Sequence, residues 1–358
     1  MSQRSDNSRA DNSYDFVRFC AASAVLFSHH FDLVGRPEPQ VPGLGWDFGE
    51  FGIAVFFCLS GFLICRSLQR SNDWAAFAAA RILRIFPNLA FVLAATSLVT
   101  LAWYRNASHL IDHIDYVAGN LAMFVRGVSM VIPGVFIDAL RTTVNEPLWT
   151  LPYELWMYVA LFALFLAGAR RSGAAVIAAT AGFALFWSLS PWFGEVDIGP
   201  LESRDLLRLG TCFLAGASLA VLWPALGRRP LALGGGGLAA LVLLNLVPAD
   251  MVARPLIVAC ALAACVIGLG QARTMRWFSR GGDASYGIYV FAWPVQQFSL
   301  LLIGSFWLSL ATAFAVTVAI GYATWHGFER RAMAHRGAFA EWIRSPLRLR
   351  RASGVRPR

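Results

Sequence analysis

The sequence predicts an all-α integral membrane protein of about ten transmembrane helices, with both termini in the cytoplasm. Composition is the first reason: of 358 residues, 57% are apolar and only 14% charged, against about a quarter charged in ordinary soluble domains. Mean hydropathy of +0.56 leaves too little polar surface to cover a water-soluble globule. The second reason is that apolar runs of about 20 residues, enough to cross a bilayer, recur along the chain. The third is that ten such runs place most of the basic residues on one side. A cytosolic enzyme, a disordered chain and a nucleic-acid-binding protein are excluded together.

In order, the spans are expected near 14–34, 48–66, 86–104, 149–168, 174–191, 206–223, 231–248, 254–270, 284–303 and 305–325. Residues 1–13, polar and without the apolar core of a signal peptide, read as a cytoplasmic tail. The membrane domain covers 14–328. Residues 329–358 read as a basic cytoplasmic tail in contact with anionic headgroups. The region 113–137 is apolar but broken by Arg126 and Pro133, which leaves a re-entrant segment, an interfacial one or an eleventh span. All 30 basic residues are arginine, with a net charge of +9. Ten spans put 22 arginines inside and seven outside, whereas an eleventh would expel Arg170–Arg171, Arg228–Arg229 or the basic tail.

The absence of lysine excludes Schiff-base chemistry and a Walker-type phosphate lysine. None of the six cysteines forms a CxxC pair, so neither a zinc knuckle nor a disulfide framework is expected. His109 and His113, near Asp112 and Asp115, have metal-like i,i+4 spacing but no third ligand, so a solvated loop is expected and no metal site.

Ionisable groups inside spans are expensive and mark function. In the first span Arg18 and His29 are eleven residues apart, which at 100° per residue places them on one face about 16 Å apart along the axis. Asp32 follows His29 at i+3 and is placed to orient the ring. In RILRIFP, Arg81 and Arg84 share a helical face, and Pro87 suits the first turn of the third span. Such a guanidinium pair makes a phosphate clamp. In EPLWTLPYELWMY, Glu154 falls one turn into the fourth span on the outer side, at the depth of His29. A basic clamp at the inner end and an acid–base pair at the outer end suit a phosphorylated cytoplasmic donor with a long flexible arm, as coenzyme A has, and an acceptor hydroxyl arriving from outside. Cys58 and Ser60 in FFCLSGF are candidate relay nucleophiles, with helix packing the favoured role.

GEFGIAVFFCLSGFLI (49–64) and the Arg18–His29 spacing resemble the first two span signatures of the acyltransferase-3 family of membrane O-acyltransferases. RILRIFP, Trp149 to Glu154 and SYGIYVFAWP (285–294) follow in that family's order, so the resemblance runs from about residue 14 to 329. It implies a bacterial inner-membrane enzyme that moves an acyl group, usually acetyl, from cytoplasmic acyl-CoA to a hydroxyl of an extracytoplasmic or lipid-linked glycan. Carried over residue by residue, Arg18 and His29 are needed for activity, Arg81 and Arg84 match the arginines before the third span, and Glu154 matches the later glutamate. Many relatives carry histidine where this chain has Ala292, which puts a catalytic role for the late motif in doubt here. The resulting expectation has His29 as general base, steered by Asp32 or Glu154, with Arg18, Arg81 and Arg84 on the phosphates of the acyl-CoA donor. The competing reading is a transporter or flippase of a polar or glycolipid substrate, although no inverted repeat is evident.

Overall fold

The computed structural model describes residues 12–71, 73–169, 173–248 and 250–352, with side chains to Ser345. Most of the expected N-terminal tail, Arg170–Arg171 and the side chains of the last thirteen residues lie outside the described residues. The helices are α1 (Tyr14–Asp32), α2 (Phe48–Arg70), α3 (Trp74–Trp103), α4 (Leu110–Leu121), α5 (Met123–Arg126), α6 (Thr150–Leu164), α7 (Ala174–Phe193), α8 (Ser203–Leu226), α9 (Pro230–Leu243), α10 (Arg254–Gln271), α11 (Ser285–Leu302), α12 (Phe306–Thr324), α13 (Arg330–Ala334) and α14 (Arg336–Ala352). Two short hairpins, Gln40–Val41 with Trp46–Asp47 and Asp197–Ile198 with Leu201–Glu202, are the only described strands.

Each of the ten predicted apolar segments falls on a helix, and among the described residues seven helices are long and apolar enough to cross a membrane. The other three are less apolar or shorter for identifiable reasons. The helix Pro230–Leu246 is short. Helix α1 carries Asp15, Arg18, two histidines and Asp32, and α11 carries Gln296 and Gln297. Polar groups thus dilute the hydropathy of α1 and α11. Residues 113–137 hold no helix long enough to cross a membrane: α4 and α5 together are short, and the chain from Gly127 to Asn145 is irregular.

Helix α2 is the hub, packing against α1, α6, α8 and α10. Asp47 caps its start, accepting from the Glu50 amide at 2.7 Å in a capping box. Its crossing with α8 is set by glycines on both sides. A Cβ at Gly61 would lie 1.8 Å from the Phe213 carbonyl oxygen, and one at Gly216 would lie 2.0 Å from that of Cys58. Without a hydrophobic driving force between helices in lipid, such close backbone approach is what holds the pair. Gly61→Ala is therefore expected to destabilise the protein by at least about 1–3 kcal/mol, the usual cost of overpacking. A thermal-melting series in detergent showing an unchanged midpoint would contradict this.

The third span differs from expectation. Helix α3 starts at Trp74, capped by Asp73 Oδ1 accepting from the Ala76 amide at 3.1 Å, and Pro87 lies inside it. The alanine-rich start WAAFAAARIL is a strong helix former, and an internal proline in a packed span removes one hydrogen bond without ending the helix. Arg81 and Arg84 therefore belong to the same continuous helix as the expected third span, with Pro87 inside it rather than at its first turn. At the far end of the chain, α14 packs Ala340 against Ala75 and Ala79, and Arg344 pairs with Asp73.

Candidate active site

Arg18, Arg81, Arg84 and Glu154 line one cavity of about 100 Å³ between α1, α2, α3, α6 and α11. The three arginines of the expected clamp all face this cavity, but their surroundings differ. Arg18 NH1 is 3.2 Å from Asp15 and 3.3 Å from Asp283 Oδ2. Arg84 NH2 donates to that same Asp283 oxygen at 2.7 Å, and its NH1 is 3.5 Å from Glu329. Glu329, 2% exposed, also accepts from Asn88 Nδ2 at 2.9 Å and Thr324 Oγ1 at 3.1 Å. Two arginines are thus tied into a carboxylate chain that fixes them side by side. Arg81 differs: its guanidinium carbon lies 5.7 Å from the centre of the Tyr158 ring, its buried Nε has no hydrogen-bond partner, and no ion pair to it occurs among the described residues.

Glu154 is a correction. It was expected beside His29. Instead, Ser60 Oγ donates to Glu154 Oε1 at 2.9 Å and the Tyr158 hydroxyl donates to the same oxygen, both within the arginine cavity. A 3-10 turn over Glu146–Trp149 precedes α6, and Thr150 is held to the neighbouring span by the Tyr289 hydroxyl, with 2.7 Å between their oxygens. Ser60 lines the cavity, whereas Cys58 is fully buried away from it.

His29 stands apart from this cavity, nearer the other end of α1. Its Nδ1 lies 3.6 Å from Glu38 Oε2, and Ser28 donates to that same oxygen. The other ring nitrogen, Nε2, is shielded from solvent and has no partner among the described residues. The edge of Trp293 meets the ring with centroids 5.3 Å apart. A Cβ at Gly49 would come within 3.3 Å of His29 Cε1, a tight approach, so the glycine leaves room beside the ring. Burial works against the Glu38 carboxylate, but His29, Ser28 and Arg141 outweigh it and hold the carboxyl below its usual range. Burial pushes nearby Asp47 the other way, upward.

Asp32 is the second correction, because both its oxygens accept from Arg141, through Nε at 2.9 Å and through NH2. An i+3 carboxylate at the last turn of α1 points toward the irregular segment rather than back along the helix. That segment is strapped to α11, since Gln297 Nε2 donates to the Arg141 carbonyl at 2.7 Å and Trp293 Nε1 to that of Thr143 at 2.9 Å. The adjacent histidine is structural. His30 Nε2 lies 3.0 Å from Ser309 Oγ and Nδ1 lies 3.2 Å from Gln296 Nε2, which ties α1 to α11 and α12. Ala292 packs with Leu26 and Leu310, so this position of the late motif is apolar core here. His113, expected in a solvated loop, is 3% exposed and its Nε2 lies 3.1 Å from Ser108 Oγ.

Sequence reading missed Glu38, Asp283, Asn88 and Glu329. Glu38 lies in an ordinary-looking loop with no periodicity. Asp283 sits just ahead of SYGIYVF, and a carboxylate beside a span start is unremarkable until the arginines are seen next to it.

Apolar helices surrounding a buried basic cavity and a separate imidazole–carboxylate pair define a multi-pass membrane protein with a charged interior site. The family model described as an acyltransferase domain, Acyl_transf_3, matches residues 11–326. The chain belongs to this acyltransferase-3 family and is an acyltransferase of the O-acetyltransferase type. It is 27% identical over 341 residues, 89% of this chain and 95% of the relative, to an "O-acetyl transferase" of Shigella phage Sf6. It is 26% identical over 353 residues, 90% of this chain and 93% of the relative, to "Nodulation protein 10" of Rhizobium leguminosarum bv. viciae. No solved structure matches the chain.

Proposed function

We propose that this chain is a ten-span enzyme of a bacterial inner membrane, both termini cytoplasmic, that moves an acyl group, acetyl foremost, from cytoplasmic acyl-CoA to a hydroxyl of an extracytoplasmic or lipid-linked glycan. The observation that carries the reading is His29: one ring nitrogen faces the Glu38 carboxylate and the other is buried without a partner. An orphaned buried nitrogen costs about 1–3 kcal/mol unless a ligand satisfies it. In this reading Glu38 keeps the proton on Nδ1, so the Nε2 lone pair receives the proton of the acceptor hydroxyl. The oxygen attacks the thioester carbonyl, the C–O bond forms, the C–S bond breaks, and the departing thiolate takes the proton from Nε2. Glu38 is a positioning residue and His29 the catalytic one.

The donor's phosphates belong at the arginine cavity, about 16 Å along α1 from His29, a separation that the long arm of coenzyme A is built to cover. Arg18 and Arg84, already sharing Asp283, supply a fixed cationic wall, and Arg81 supplies the uncommitted guanidinium. Arg81→Ala is expected to raise the KM for acyl-CoA about tenfold or more, the worth of one charge-assisted contact, with a smaller change in kcat. Equal loss in kcat at unchanged KM would place Arg81 elsewhere.

The reading is tested by mass spectrometry of surface glycans from the native host, in wild type, a deletion strain and the complemented deletion. An O-acyl mass increment that disappears on deletion and returns on complementation is expected. Glycan acylation identical in all three strains would overturn a glycan acceptor.

A further inference from the structure

We infer that Glu154, held by Ser60 and Tyr158, recognises an amide N–H of the donor's arm and takes no part in proton transfer. The inference rests on the proposed acyl-CoA reading and names the role of one residue within it. Both hydrogen bonds to Glu154 from the protein end on Oε1, and Oε2 has no partner among the described residues. The side chain lines the cavity, so the second oxygen is the acceptor the cavity offers. Tyr158 places Glu154 beside the cation: its hydroxyl holds the carboxylate while its ring face lies 5.7 Å from the Arg81 guanidinium carbon. An uncommitted guanidinium and an uncommitted carboxylate oxygen on one tyrosine call for a ligand with an anionic group followed closely by an N–H donor. The arm of coenzyme A has that order, a phosphate and then amides.

Beyond Glu154, the wall turns apolar through Ile53, Phe56 and Leu151, toward the Thr150–Tyr289 pair. Tyr289 is one helical turn from Trp293, the residue that meets His29. The carboxylate therefore sits at the phosphate end of the path and His29 beyond its far end, which separates Glu154 from the reacting carbonyl. A free carboxylate where the path turns apolar suits an N–H that would otherwise lose its hydration on entry.

The test measures binding to the purified full-length protein in nanodiscs by calorimetry, using coenzyme A and using adenosine 3′,5′-bisphosphate, which has phosphates but no arm. For Glu154→Gln, which keeps an acceptor for Ser60 and Tyr158 but removes the charge, the expected result is coenzyme A affinity lower by about tenfold with bisphosphate affinity unchanged. Unchanged bisphosphate binding also shows that the variant is folded. Ser60→Ala should shift coenzyme A binding in the same sense by a smaller factor. Three outcomes overturn the inference: unchanged coenzyme A affinity with a loss of kcat, which makes Glu154 part of the chemistry; equal loss of both ligands, which makes it part of the phosphate site; and loss of both with aggregation of Glu154→Gln and Ser60→Ala alike, which makes the cluster structural. Failure of the wild-type protein to bind coenzyme A is separate, because it removes the acyl-CoA reading itself.

Discussion

Replacing His29 by alanine is expected to lower kcat for acyl transfer by about 10²–10⁴-fold, the usual worth of a positioned general base, while leaving coenzyme A binding intact. The separation of the two sites gives the second half of that expectation. His29 contacts Glu38 and Trp293, and it does not line the cavity that holds the arginines. Thiol release from acetyl-CoA by protein in nanodiscs, with and without an acceptor glycan, reads the rate. His30→Ala is the informative companion. Both nitrogens of His30 face protein partners, so its loss should lower thermal stability first. Full activity in His29→Ala at equal protein level would remove the imidazole from the mechanism.

The second large effect is expected from a residue with no signature in the sequence. Glu38→Gln should lower kcat by about 10²-fold or more, because an amide can present N–H to Nδ1 and so drive the ring proton onto Nε2, the nitrogen that must accept. Hydrogen bonding and the Arg141 charge outweigh burial and hold the Glu38 carboxyl below its usual range. Glu38→Asp, which keeps the carboxylate, should retain more of the rate than Glu38→Gln. Equal loss in the two variants would count against the pairing.

Much of this molecule was legible in the chain. The helical membrane class, the ten apolar segments and the family follow from features that are local in sequence: hydropathy over about 20 residues, arginine placement and short motifs of fixed spacing. The Arg18–His29 face is equally local, since helical geometry alone sets its angle and rise. The meeting of Arg18, Arg81 and Arg84 is compatible with their similar depth, and the structure supplied the partners that distinguish them. Tertiary structure decided what each charge touches. Asp32 lies closer to His29 in sequence than Glu38 does, yet the segment strapped to α11 brings Arg141 to Asp32, while the loop after α1 folds Glu38 back onto the ring. Glu154 falls with the arginines because α6 turns it into their cavity, where Ser60 and Tyr158 hold it. Asp283 and Glu329 become visible only once three separate helices meet. The physical reason is the same in each case. Apolar burial and helical period are summed along one segment, whereas an ion pair depends on two groups that converge within a few ångströms from distant parts of the chain.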